Sequence, residues 1–187
     1  MRLFLALDLD GETRDAVSRE QRRLRERLAG QSLRWVRPEH LHITIVFLGE
    51  IDAARADVVI ATVAEPVSRD PFEVVVAGGG VFPLRGSPRA LWLGLAAGAE
   101  QLSAIQHLMA TRFVERGLQP NVGPFTPHLT VARWKHSRHA GRVSSGLFDD
   151  SRLRLRVPVD HLTLYESRLS SDGPTYLERA RATLIST

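Results

Sequence analysis

One order of elements occurs twice in this chain of 187 residues, and it constrains the fold more tightly than any other feature. Residues 2–9 (RLFLALDL) read as a strand bounded by Asp10 and Gly11. Residues 12–29 read as a helix with a sparse apolar stripe at Val17, Leu24 and Leu28, stopped by Gly30. Residues 41–48 (LHITIVFL) are a β-branched second strand, and Asp52 caps a helix over 53–64 with Val59, Ile60 and Val63 inward. Residues 72–77 form the next strand, after which Gly78, Gly79 and Gly80 mark a bulge or a close backbone approach. The round then begins again. Residues 90–95 are a strand, 99–116 a helix with Leu102, Ile105, Met109 and Phe113 on one face, and 128–132 a strand, followed by strands near 153–157 and 162–165. Leu3 precedes His42 by 39 positions and Leu91 precedes His128 by 37, while the following strands begin 30 and 29 positions later, at Phe72 and Val157. Residue identity between the halves is poor. The repeat of pattern nonetheless predicts two α+β lobes related by a pseudo-twofold axis, and a site between them receives one motif from each.

The motif is His-x-Thr. With 7 His and ten Thr, chance supplies ~0.4 such triplets, whereas the chain has three: His42-Ile43-Thr44, His128-Leu129-Thr130 and His161-Leu162-Thr163. On a strand, residues i and i+2 share a face, so each triplet presents an imidazole and a hydroxyl together and turns its aliphatic residues the other way. Two such units suit displacement at phosphorus without a metal. An attacking water loses a proton while the leaving oxygen on the opposite side gains one, and two imidazoles with ordinary pKa values near 6.5 divide those tasks at neutral pH. Thr hydroxyls bind the non-bridging oxygens.

Composition removes competing chemistries. There is no cysteine, which excludes thiol catalysis, Cys-ligated zinc and iron–sulfur clusters. No stretch approaches 18 continuous apolar residues, and the first residues soon meet Asp8 and Asp10, so the chain reads as soluble and cytoplasmic. The net charge of +4 and the pI near 10.5 permit a polyanionic partner without indicating one, because Lys135 is the only Lys beside 24 Arg.

The stretches WVRPEHLHITIVFLGE (Trp35 to Glu50) and PFTPHLTVAR (Pro124 to Arg133) resemble the paired motifs of the 2H phosphoesterases, and most nearly those of the RNA 2',3'-cyclic phosphodiesterases, also called 2'-5' RNA ligases. The likeness extends to the opening RLFLALDL, to VFPLRGSPRALWLGL (Val81 to Leu95), and to a tail with Tyr165-Glu166-Ser167, Gly173 and Tyr176. It implies an α+β fold of two pseudo-twofold-related lobes, each an antiparallel sheet with helices on its outer face. The active-site cleft lies between the lobes, which interleave in a single bilobal domain over 1–187 with approximate repeats 1–83 and 88–167. It also implies hydrolysis of a 2',3'-cyclic phosphate at an RNA 3' end to a 2'-phosphomonoester, with reversible 2'-5' ligation as a further activity. By the family's assignment His42 donates a proton to the departing 3' oxygen, His128 activates water, and Thr44 and Thr130 bind phosphate. The spacing alone leaves open which histidine is which. The expected partner is an RNA with a cyclic-phosphate end, transfer-RNA fragments included. No cofactor, metal or membrane is expected, and the chain is expected to act as a monomer. Two alternatives stay open: the same site acting on ADP-ribose 1'',2''-cyclic phosphate or 2',5'-linked oligonucleotides, and a non-catalytic RNA-end binding module.

His161 does not hold the repeat position shared by His42 and His128, and is expected outside the site. His40 reads as a polar residue at a strand entrance, and His136 and His139 as members of a solvated loop and not metal ligands. The run Arg133, Lys135, His136, Arg138, His139, Arg142 follows the second motif and is either an RNA track, with Trp134 for stacking, or an exposed loop. Arg133 is the substrate-binding candidate among them: alternation sets it off the His128 face, just beyond the motif where the chain can turn toward the cleft. Arg85 and Arg89 lie in a Gly/Pro-rich loop, exposed by default.

Overall fold

The computed structural model describes residues 1–121, 123–136, 143, 145–171 and 173–186. Its strands are β1 (Arg2–Asp8), β2 (Leu33–Trp35), β3 (His42–Glu50), β4 (Val67–Ser68), β5 (Phe72–Phe82), β6 (Ala90–Ala97), β7 (Leu129–Trp134), β8 (Arg154–Val159), β9 (His161–Ser170) and β10 (Gly173–Ile185). The helices are α1 (Gly11–Arg27), α2 (Ala53–Ala64) and α3 (Ala99–Glu115). Asp10 and Asp52 cap α1 and α2, their carboxylates accepting from the amides of Thr13 at 2.7 Å and Arg55 at 2.8 Å, which satisfies donors that a helix start leaves free.

The strands form one sheet in the order β4-β10-β9-β1-β3-β7-β6-β5-β8, with β2 added on β7. Pairing is antiparallel throughout except between β4 and β10. Among the described residues, the two lobes' sheets meet where β3 touches β7, through the opposed pair Ile43 and Leu129. Chain order does not follow the lobes. β5 comes from the first half of the chain yet pairs with β6 and β8, and β9 and β10 return from the second half to pair beside β1. The helices cross in the same way, with α2 against β10, α3 against β3 and α1 reaching β8. Leu3, Leu5 and Leu7 of β1 join Leu102, Ile105, Met109 and Phe113 of α3 in one continuous apolar core. Burial of that face, more than helix propensity, holds the layers together.

The helix over 53–64 and the buried face of α3 match the expectation. The glycine run is also a bulge and a close approach: the register of β5 against β6 slips between Val76 and Gly79, and a Cβ on Gly79 would lie 2.4 Å from the Trp92 carbonyl oxygen. Three strands have no counterpart in the sequence reading. β2 and β4 are only 3 and 2 residues long. β10 is 13 residues long, but Glu178, Arg179 and Arg181 break its alternation, and a bulge falls between Glu178 and Ala180. Pairing with β9 overrides the weak strand propensity of this charged segment. Among the described residues, no helix is long and apolar enough to cross a membrane.

Candidate active site

The two motif strands carry the same irregularity at the same place. Against β1, Ala6 faces Thr44 and Leu5 faces Val46, so Ile45 is one residue too many. Against β6, Trp92 faces Thr130 and Leu91 faces Ala132, so Val131 is the extra residue. A bulge directly after the Thr reverses the alternation beyond it. Burial follows that rule: Ile45 and Val46 are both inside, as are Val131 and Ala132, while Phe47 and Arg133 emerge on the face of the histidines. This corrects the expectation that Arg133 lies off the His128 face. The bulge carries it there, and the bulged Val131 carbonyl accepts from the buried Gln21 amide and from the Val36 N–H, each at 2.9 Å.

Continuing the Ile43–Leu129 register by one residue each way sets His42 opposite Thr130 and Thr44 opposite His128. Directly opposed Cβ atoms lie about 5 Å apart and diagonal neighbours about 7–8 Å, a diagonal that admits a phosphate group between two imidazoles. His42, Thr44, His128, Thr130 and Arg133 all line one cavity of about 530 Å³, together with Arg2, Phe4, Phe47 and Tyr176.

Both rings are locked alike. His42 Nδ1 lies 2.8 Å from the His40 carbonyl oxygen, and His128 Nδ1 lies 2.8 Å from that of Thr126. A carbonyl only accepts, so Nδ1 carries the proton in each neutral ring and Nε2 holds the lone pair. The Thr44 hydroxyl donates to His42 Nε2 over 3.1 Å. Aromatic rings flank each imidazole, Phe4 at 5.0 Å and Tyr176 at 5.5 Å from His42, and Phe82 at 4.9 Å and Trp92 at 6.2 Å from His128. Shielding from water pushes the His42 pKa down to about 4, with the positive charges of His40 and Arg133 adding to the effect against the His40 carbonyl and Asp8. Desolvation and Arg133 also hold His128 below the ordinary imidazole range, against its hydrogen bond to Thr126.

One difference separates the two rings. Asp8 stands directly opposite His42 across β1 and β3, and its negative charge favours the imidazolium there. It is fixed by two hydroxyls: Thr163 donates to Oδ2 at 2.6 Å and Tyr165 to Oδ1 at 2.8 Å. The third triplet therefore enters the site through its threonine. His161 itself pairs with Asp160 and is absent from the cavity lining. His40 lines the cavity and packs on Tyr176 at 4.7 Å. Arg85 and Arg89 are exposed and do not line the cavity. Of the basic run, Arg138, His139 and Arg142 lie outside the described residues, and Lys135 and His136 are exposed. Trp134 is buried, its indole N–H donating to Gln31 Oε1 at 2.7 Å, which removes it as a stacking platform. Sequence reasoning missed Asp8, Phe4, Phe82, Trp92 and Tyr176. Asp8 left a signal, a carboxylate on the polar phase of an otherwise buried strand. Among the described residues, no three His, Cys, Asp or Glu side chains gather as a metal site would need.

The model of the LigT-like phosphoesterase family matches this chain twice, over residues 7–92 and 93–176. The RNA 2',3'-cyclic phosphodiesterase of Methanothermobacter thermautotrophicus is 32% identical over 95% of this chain and 96% of its own length. That of Aquifex aeolicus is 34% identical over 76% of this chain and 77% of its own. In three dimensions the chain is similar to TT0787 of Thermus thermophilus, at TM-score 0.80 and 28% identity over 100% of this chain and 99% of that one. The fold is also that of Escherichia coli LigT in its apo form, at TM-score 0.78 and 24% identity over 99% and 98% of the two chains.

Proposed function

The chain belongs to the LigT-like phosphoesterases, and from that premise we propose that it hydrolyses 2',3'-cyclic phosphate ends of RNA to 2'-phosphomonoesters by metal-independent acid–base catalysis between His42 and His128. The observation that carries this reading is the pair of imidazoles with Nδ1 tied to a backbone carbonyl, both lining one cavity with Thr44, Thr130 and Arg133. The whole of 1–187 acts as one bilobal unit with repeats 1–83 and 88–167. Substrates named for the relatives support RNA ends over other cyclic esters.

His128 Nε2 takes the proton of a water as its oxygen forms the new bond to phosphorus. The bond from phosphorus to the 3' oxygen breaks on the opposite side, and that oxygen takes a proton from His42 Nε2. The product carries a 2'-phosphate and a 3'-hydroxyl. Proton exchange with water then restores both rings; the same sequence with an RNA 5'-hydroxyl in place of water forms the 2'-5' linkage as the 3' oxygen departs, and its reversal cleaves that linkage. Thr44 and Thr130 hold the non-bridging oxygens, and Arg133 neutralises the charge gathering on them. The assignment of His42 as acid is supported by Asp8, whose charge favours the protonated ring there, whereas among the described residues no carboxylate is matched to His128 in the same way. A phosphate anion adds a second negative charge beside His42 and opposes the desolvation that strips its proton, so substrate binding is coupled to proton uptake.

Hydrolysis of a 2',3'-cyclic RNA end proceeds undiminished in EDTA on this account. Activity that vanishes on chelation and returns with a divalent ion contradicts it.

Asp8→Asn provides the pH test. Asp8 raises the His42 pKa, so removing its charge makes the imidazolium lose its proton at lower pH. The alkaline limb of the kcat profile, set by the acid in the substrate complex where the bound phosphate favours its proton, moves down while the acidic limb stays. A uniform loss at every pH would assign Asp8 a structural role only.

A further inference from the structure

The pseudo-twofold axis supplies an internal comparison. Phe47 and Arg133 occupy matching places, each the residue that a bulge returns to the histidine face. Each is paired on its outer side by the segment leading into a motif: Phe47 by Asn121, and Arg133 by Arg34. One lobe thus sets a neutral pair at this position, with Arg2 lying over the Phe47 ring at 5.2 Å. The other sets two arginines directly opposite one another in the register. Like charges so opposed repel, and among the described residues neither Arg34 nor Arg133 has a carboxylate ion-pair partner. Such a pair is the arrangement an anion relieves.

The surroundings show where that anion lies. A second cavity of about 480 Å³ opens beside the first and shares Val36, His40, Arg133, Pro174 and Tyr176 with it. Arg34, Arg37 and Trp35 wall it without lining the first. Trp35, the next residue of β2, turns to the other side of the strand, with the buried Ala132 as its register partner, the apolar core against it and Arg25 over its ring at 5.2 Å. Basic groups continuous with a phosphate site are the elements with which proteins follow the backbone of a single strand of nucleic acid. Glu39 and Asp8 line the cavity on the other flank of His42, where a phosphodiester is repelled.

Resting on the functional reading above, we propose that this second cavity binds the phosphodiester preceding the cyclic phosphate, with Arg34 and Arg37 contacting it. The substrate class is accordingly an oligonucleotide end and not a cyclic mononucleotide.

Calorimetric titration with two uncleavable ligands, 2'-AMP and a trinucleotide ending in a 2'-phosphate, tests the proposal. Wild type binds the trinucleotide at least about ten-fold more tightly. The Arg34→Ala, Arg37→Ala double variant loses most of that advantage and keeps its affinity for 2'-AMP within about two-fold. Its salt slope for the trinucleotide becomes shallower by about 0.7, the share of one lost single-strand phosphate. Equal wild-type affinities for the two ligands, or an equal loss for both in the variant, overturn it. Arg34→Gln, at an exposed position, repeats the comparison should the double variant not fold. Because neither ligand is cleaved, the result for this cavity is independent of whether cyclic ends are hydrolysed.

Discussion

His128→Ala lowers kcat/KM on a cyclic-phosphate RNA end by about 10³-fold, within the range that positioned acid–base groups supply, and His42→Ala does the same. The double variant loses little more than either single one, because the two imidazoles act in one transition state and their effects are not additive. Folding is largely spared. His128 is capped by one hydrogen bond to the Thr126 carbonyl and edge contacts with Phe82 and Trp92, so truncation shifts the melting temperature far less than it shifts the rate. A double variant that keeps its activity would assign the cavity a binding role alone. A matched pair of losses in rate and in melting temperature would make the histidines structural.

Arg133→Ala has the second largest effect, about 10²-fold in kcat, the scale of removing one fixed donor from a charged transition state. It carries a second signature. Arg133 depresses the pKa of both His42 and His128, so its loss raises both. The base must be neutral to act, and its pKa then lies higher, so the acidic limb of the rate profile moves to higher pH. Arg133→Lys restores the charge, and with it the limb, but recovers only part of the rate, because a lysine lacks the planar two-pronged donor that fits a phosphate. An alanine variant with an unshifted acidic limb would place Arg133 too far from the imidazoles to act on them.

The motif strands and the helices between them were legible because their signals are local. The face bearing Leu102, Ile105, Met109 and Phe113 follows the helical period and is buried as read, and Asp52 caps α2 where a short acidic residue precedes an apolar run. The convergence of His42, Thr44, His128 and Thr130 on one cavity was legible for a different reason, since a repeated pattern brings its equivalent residues to one axis. The remainder depends on pairing between distant segments. β10 borrows its strand conformation from β9, and its Tyr176 reaches His42 because β9 in turn pairs with β1, the neighbour of the strand that carries His42. Asp8 acquires its partners from Thr163 and Tyr165 by the same return of the chain. The bulges at Ile45 and Val131 left no mark in the sequence. Both are β-branched residues of ordinary strand character, and only the register shows that each is surplus. Alternation therefore misplaced Arg133, the one site residue for which the orientation mattered most.

On the proposed division of labour, with one imidazole activating water and the other protonating the 3' oxygen, the bond from phosphorus to that oxygen is the one that breaks. Incubating the protein with RNA ending in a 2',3'-cyclic phosphate and mapping the terminal phosphate of the product reads that bond directly. The account predicts a 2'-phosphomonoester bearing a 3'-hydroxyl. A 3'-phosphomonoester, or a cyclic end left intact by folded protein, contradicts it.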